Sequence, residues 1–226
     1  MLELSVVIAE SALELVPEEF CRHPSSVAEA RRRGVEPGSI LLDRSIHHGA
    51  MLKMDDGYRR GRPDLVYLTL LSLTSTPLNQ EGKLRVYIHT LDDKVLEFAP
   101  EARPPKSYDR FRNLMEKVLA ERPAEGVITF RESSLPRLVK MTGTQLAIGF
   151  SVEGQPLTFE EVAGELVKEK RSAAVIGGFP KGHFMPRDIK AFDKLVRIDD
   201  RPLDAHVVAA RAVYEVEKCL SRSRSR

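Results

Sequence analysis

At 226 residues, 42% of them hydrophobic and 30% charged, the chain is long enough to build one large core. Its 35 Lys and Arg stand against 33 Asp and Glu, a formal charge of +2, so overall charge points to no class of partner and only local clusters can. Apolar runs fall well short of the roughly 18 residues a membrane span requires, no basic-then-apolar leader opens the chain, and Cys21 and Cys219 lie far apart without metal-ligand spacing, so a cytoplasmic α/β domain with two free thiols is expected.

Residues 2–9, rich in Val, Ile and Leu, predict a strand. Ser25 or Ser26 then caps a helix ending at Arg33, stopped by Gly34 and Pro37-Gly38. Residues 39–43 predict a second strand that ends on Asp43, and 45–51 begin a short helix. The polar loop over 53–62 holds three guanidiniums, Arg59, Arg60 and Arg62. Pro63 suits the first position of a helix and Asp64 the positive end of its dipole. That helix, over 65–73, is apolar on nearly every side, as burial in a core or at an interface requires.

After a turn at 76–82, residues 84–90 and 94–98 form a strand pair around Leu91-Asp92-Asp93. Three prolines in 99–106 leave no room for a helix. Ser107 caps the next one, where Tyr108, Phe111, Leu114, Met115, Val118 and Leu119 make a single apolar stripe. Arg110, Asn113 and Lys117 occupy its other side, with Arg103 and Lys106 just upstream. A row of basic groups thus faces solvent from a helix start, although an ordinary solvated helix face looks the same.

The last third alternates strand and helix: a strand at 145–152, a helix at 157–168 with Thr158 and Glu161 as a capping box, strands at 173–176 and 194–198, a turn closed by Asp204, and a helix over 205–217. Such alternation predicts an α/β fold with a mostly parallel sheet and helices on both faces. The Ser-Arg tail over 221–226 is too cationic to pack and is expected to be disordered, adding weak affinity for a polyanion.

One stretch is built for a ligand. The strand at 173–176 runs straight into Gly177-Gly178-Phe179-Pro180-Lys181-Gly182. Without Cβ atoms, Gly177, Gly178 and Gly182 can take positive φ and bring main-chain groups close to a ligand, while Phe179-Pro180 stiffens the span. A Walker loop needs Gly-Lys followed by Ser or Thr, and no G-x-G-x-x-G occurs, so a nucleotide phosphate is not indicated. A plain turn between two elements is the competing reading. His47, His48 and His89 do not complete a metal site: adjacent histidines on a helix diverge by about 100°, and no H-x-x-x-H or Cys/Asp set joins them.

Several stretches together, Asp43-Arg-Ser-Ile-His-His48, Arg62-Pro-Asp64, Ser75-Thr-Pro-Leu-Asn79 with Gly82, Val86-Tyr-Ile-His-Thr90, the run from Arg103 to Phe111 with Leu114-Met115, and the glycine loop, occur in this order. In combination they resemble the archaeal form of the ribosome-biogenesis pseudouridine N1-methyltransferases of the SPOUT superfamily, from about Ser39 to Glu217. The resemblance implies a single domain over 1–220, with the strand pair near 84–98 as an insertion that grips RNA, a C-terminal trefoil knot, and a homodimer. It implies S-adenosylmethionine held by main-chain groups of Gly177, Gly178 and Gly182 and of Leu195, Val196, Arg197, Ile198, Asp199 and Asp200, with Ile148 closing a third side. The substrate implied is a pseudouridine in a loop of small-subunit rRNA, contacted by Arg62, Arg103, Lys106 and Arg110.

Methylating the free N1 of pseudouridine needs no metal. Asp64 and Asp43 are the candidate general bases, set against a helix-start role for Asp64, holding Arg62 for RNA, and a capping or Arg-pairing role for Asp43. A non-catalytic RNA-binding assembly factor, or a methyltransferase acting on another base or on ribose, are the alternatives.

Overall fold

The computed structural model describes residues 2–224. Strand β1 (Glu3–Ser11) is buried along almost all its length because it is the middle of a sheet, with β2 (Leu84–Thr90) parallel on one edge and β6 (Arg171–Gly177) parallel on the other. Beyond β6 lie β5 (Leu146–Pro156) and β7 (Lys194–Arg197), again parallel. Beyond β2 lie β3 (Lys94–Phe98) and β4 (Ile128–Glu132), antiparallel, so the order is β4-β3-β2-β1-β6-β5-β7. The helices are α1 (Pro24–Arg33), α2 (Arg44–Met51), α3 (Pro63–Thr74), α4 (Pro77–Gln80), α5 (Tyr108–Glu121), α6 (Leu135–Met141), α7 (Phe159–Leu166), α8 (Pro186–Ile189) and α9 (Ala205–Arg224).

A strand covered on both faces reads as a continuous apolar run. Leu4, Val6 and Ile8 of β1 enter one cluster with α3, α5, α7 and α9, whereas Val7 and Ala9 enter a second with α6 and Phe184. The all-round apolar character of α3 is thereby explained within one chain, since it packs on the sheet, on α5 and along α9, and only Leu68 is left exposed. Val16, Ile40, Leu42, Met51 and Met54 form a third cluster, the core of a small lobe with α2. The lobe is tied to the main layer by Glu116 of α5, which accepts both nitrogens of the Arg33 fork at 2.7 and 2.6 Å and the Leu41 N–H at 3.0 Å.

The mostly parallel sheet with helices on both faces is as the sequence predicts. Several elements differ. Residues 39–43 do not join the sheet: both edges of β1 are taken, and the segment makes only a bridge between Leu41 and Leu15. The cap of α1 is His23, whose Nδ1 accepts the Ser25 N–H, so neither serine caps it. The 84–98 pair is no appendage, because β2 is β1's neighbour in the sheet and only β3 and β4 extend outward from it. Helix α9 continues through Arg224, past the point where disorder is expected; Arg222 finds a carboxylate, Glu160, at 2.8 Å. Ser225 and Arg226 lie outside the described residues.

At its far end β5 pairs with β7 twice, through Ile148–Phe150 and again through Gln155 and Pro156, with 151–154 looping out between. The return brings Gly154 against the β7 backbone, where a Cβ would stand 2.4 Å from the Val196 carbonyl carbon. Gly154→Ala should therefore cost about 1–3 kcal/mol of stability through overpacking. Gly164→Ala, in α7 with nothing within 4 Å of the new Cβ, should be neutral or gain up to about 1 kcal/mol. Urea unfolding midpoints of the two variants check the contrast.

Candidate functional site

The carboxyl ends of β5, β6 and β7 open onto one cavity of about 410 Å³, the position at which open parallel sheets hold ligands. Phe150, Ile176, Val196, Leu203 and Val208 make its apolar wall, and the loop carrying Phe179, Gly182 and Phe184 closes the other side. Gly182 has φ +94, in the left-handed region, and the nearest atom to a Cβ built there would be in the Tyr58 ring at 3.5 Å. The main-chain N–H groups of Gly182 and Leu203 meet no acceptor among the described residues, which leaves them free for a ligand.

Of the residues expected to hold a cofactor, Gly177, Gly182, Val196, Ile198, Asp199 and Asp200 line this cavity. Four do not. Ile148 is wholly buried in the core beneath it. Gly178 is locked to β1, donating its N–H to Ala9 at 2.7 Å and accepting that of Ala12 at 2.9 Å, and a Cβ there would meet Ser11 Oγ at 2.4 Å. Leu195 packs on the opposite face of the sheet. Arg197 turns outward to a shallow groove beside Thr158 and Glu161 and pairs with Asp200 at 2.8 Å. Sequence reasoning misses Phe150, Ser151, Val152, Phe184, Leu203, Ala205 and Val208, which line the cavity too; the available signals were the strand end at 150–152 and the turn leading into α9. On the rim, hydrogen bonds from the Arg201 side chain and its N–H hold the Asp199 carboxyl down at about 2, so it is ionised.

The three guanidiniums of the 53–62 loop separate. Arg59 is buried and pairs with Glu10, its Cζ standing 4.3 Å from the centre of the Phe179 ring. Arg60 makes a two-pronged pair with Glu14. Arg62 is the most exposed of the three, and there Asp64 takes its Nε and Nη2 at 2.7 and 2.9 Å. This pairing, followed by the opposing effect of burial and then by the charges of Asp64, Asp204 and Asp43, raises the Arg62 pKa above its ordinary value.

Asp43 is the cap of α2. Its Oδ1 accepts the Ser45 N–H at 2.9 Å and hydroxyl at 2.6 Å, and its Oδ2 accepts the Tyr108 hydroxyl at 2.8 Å. Burial first, then Asp43 and, more weakly, Asp64, push the Tyr108 phenol up. The starts of α2, α3, α5 and α9 thus lie near one another: Asp43 accepts the Tyr108 hydroxyl, the charges of Asp43 and Asp204 both act on Arg62, and Leu203 and Ala205 beside Asp204 already line the cavity.

Arg103, Lys106 and Arg110 are exposed around the start of α5. Arg103 rests on the Pro100 and Ala102 carbonyls at 3.0 Å each, and the Lys106 carbonyl accepts the Tyr67 hydroxyl of α3. Tyr67 stands 5.5 Å from Tyr108 and 4.9 Å from Phe111, centre to centre, so the basic segment is docked on α3.

The histidines have structural partners. His47 is buried with Nδ1 at 3.0 Å from the Asp43 nitrogen, and His89 is buried with Nδ1 accepting the Glu10 N–H at 3.2 Å and Nε2 facing Asp93 at 3.2 Å. Burial lowers both pKa values. No group of three or more His, Cys, Asp or Glu suited to a metal occurs among the described residues.

Comparison with known proteins covers the chain nearly end to end. The EMG1/NEP1 methyltransferase family matches residues 6–217. A Pyrobaculum calidifontis protein named ribosomal RNA small subunit methyltransferase Nep1 is 40% identical over 220 residues, 95% of this chain and 98% of that protein. The protein of the same name from Thermococcus kodakarensis is 38% identical over 223 residues, covering 96% and 99% of the two chains. In three dimensions the chain is similar to the crystal structure of Archaeoglobus fulgidus Nep1 bound to S-adenosylhomocysteine, with a TM-score of 0.86 at 32% identity over 98% of this chain and 100% of that one.

The hydrogen bonds of Asp43 make it a keystone between α2 and α5. Asp43→Ala should lower stability by about 1–3 kcal/mol, through the lost cap and the stranded phenol, and Tyr108→Phe by about 0.5–1.5 kcal/mol. Denaturant titration of both variants checks this.

Proposed function

The chain belongs to the EMG1/NEP1 methyltransferase family, and on that premise we propose that it methylates N1 of a pseudouridine in a loop of small-subunit rRNA during ribosome biogenesis, using S-adenosylmethionine. The observation that carries this reading is the adjacency of two features. Leu203 and Ala205 line the cavity at β5, β6 and β7, and Asp204 between them acts on Arg62 of the neighbouring helix-start cluster.

The cavity fits the cofactor in kind. It has an apolar wall for a purine and free main-chain N–H groups, and at Gly182 a positive φ that a side chain would strain. When bound, S-adenosylmethionine supplies an electrophilic methyl group on its sulfonium. Gly177, Gly182, Val196, Ile198, Asp199 and Asp200 are the residues proposed to surround it. Ile148, Gly178, Leu195 and Arg197 support those positions from behind or beside them.

The protein's own part is mostly placement. Holding N1 in line with a methyl group is worth up to roughly 7–11 kcal/mol in well-oriented systems. Arg62 is oriented for this by Asp64, both of whose oxygens are engaged by the guanidinium, which makes Asp64 a positioning residue. Asp43 is not available as a base, since it is buried and its oxygens already accept three hydrogen bonds. The N1 proton is then released to water at the cavity mouth. The target must be unstacked to enter, which favours a loop over a duplex. Arg103, Lys106 and Arg110 are proposed to hold the phosphates around it.

A homodimer and a cytoplasmic location belong to the same reading, as does a C-terminal trefoil knot. Among the described residues no helix is long and apolar enough to cross a membrane.

A loop RNA containing pseudouridine should accept labelled methyl from S-adenosylmethionine, and the same RNA with uridine should not, because uridine N1 is bonded to its sugar. Equal labelling of both would point to a ribose or another base, and labelling of neither to an assembly factor. Arg103→Ala and Arg110→Ala should each weaken RNA binding and flatten the dependence of log K on log salt by about 0.7 per lost contact. Cofactor affinity should be unchanged, with Arg62→Ala losing more turnover than either; filter binding across a salt series, with turnover at saturating RNA, checks it.

A further inference from the structure

Behind the cavity's glycine loop lies a buried group of ionisable side chains that neither the cofactor wall nor the basic face uses. Glu10, at the end of β1, is wholly buried and has φ +49, a left-handed conformation that non-glycine residues seldom hold and that gathers at functional sites. Its N–H donates to His89, its Oε1 accepts the Met185 N–H at 2.7 Å, and its Oε2 pairs with Arg59. Arg59 lies over the Phe179 ring, and Phe179 and Phe184 line the cavity. Glu10 and Arg59 therefore grip the loop at both of its ends.

Asp188 of α8, also wholly buried, lies against Glu10. No N–H or O–H of the described residues reaches its oxygens within hydrogen-bonding distance, and Arg187 Nε stops at 3.6 Å. What faces it is the Glu10 carboxyl, and two carboxylates buried side by side cannot both be ionised without a large cost. The groups facing the pair are Arg59 after α2, His89 of β2, Asp93 of the β2–β3 turn, and Arg187 of α8, itself 3.2 Å from Asp93. His89 is kept neutral by burial. One proton leaves the two carboxyls a single negative charge, which Arg59 balances; without it a second buried charge has only half-exposed Arg187 nearby.

We infer that the Glu10 carboxyl, buried beside Asp188, is a proton-bearing support for the glycine loop, so that the cavity takes up a proton as it binds the cofactor. The inference rests on the cavity being the S-adenosylmethionine site. Burial lifts the Glu10 carboxyl to about 7, against the Met185 N–H and Arg59, which lower it, and with Asp188, which raises it. A carboxyl raised in the folded state adds stability that is full below its unfolded value of 4.5 and is lost as pH climbs to about 7. Filling the cavity drives water from the Phe179 and Phe184 side and raises Glu10 further, so affinity should fall as pH rises above 7.

Calorimetry with S-adenosylhomocysteine from pH 5.5 to 8.5, in buffers of different ionisation enthalpy, tests this. The intact protein should bind up to about fivefold more weakly at pH 8 than at pH 7 and take up a proton on binding. Asp188→Asn, which removes the charge and keeps the shape, should hold its pH 7 affinity at pH 8 and take up less; comparing the two cancels the ligand's own titrating groups. Melting without ligand should show the intact protein losing stability from pH 5 to 7 and Asp188→Asn losing less. If Asp188→Asn does not fold, proton uptake by the intact protein decides alone. Binding with identical pH profiles in both proteins, or without proton uptake, overturns the inference and leaves the proposed function standing. No binding at any pH overturns both.

Discussion

A β-strand has two edges, and β1 uses both for parallel partners, β2 and β6. Parallel neighbours cannot be joined by tight turns, so the chain must cross the sheet between them, and the crossings lay helices on its faces. The same constraint points the carboxyl ends of β1, β6, β5 and β7 one way. There β6 delivers the glycine loop, β7 the rim aspartates and β1 the glutamate beneath. The cavity is thus a product of strand direction before it is a product of any side chain.

Charge is organised by pairing. Most arginines near the core have a carboxylate of their own: Arg33 with Glu116, Arg59 with Glu10, Arg60 with Glu14, and both Arg32 and Arg112 with Glu29. Among the described residues no carboxylate pairs with Arg103, Lys106 or Arg110. A near-neutral protein can therefore present a local positive face, because pairing cancels many of its arginines elsewhere. Arg62 stands between the two groups, paired yet partly open, and Asp64 fixes its direction without hiding it.

Periodicity exposed the elements whose burial is one-sided or total: β1, β2, β6, the striped α5 and the capping box of α7, where Thr158 and Glu161 bond reciprocally as expected. It failed where an element is short or where a partner decides the outcome. Residues 39–43 have a strand's composition but no free edge to join. The five residues of β4 and seven of α6 went unassigned. In the site, a glycine loop can be seen in a sequence, but which of its glycines faces the ligand cannot, and Gly178 turned out to serve β1. Arg59, Arg60 and Asp43 carry the same lesson: residue type shows a charge, and only the fold shows what it meets.

The register of β1 also bears on how the chain is made. Leu4 pairs with Leu84 on one side and with Ser172 on the other, so the first strand to emerge from a ribosome waits for about three quarters of the sequence before its second edge is covered. At roughly 5–20 residues per second that wait is many seconds, long against the collapse of a small chain. A nascent strand as apolar as Leu4–Ala9 is a target for chaperones over that interval and a template for wrong pairing without them.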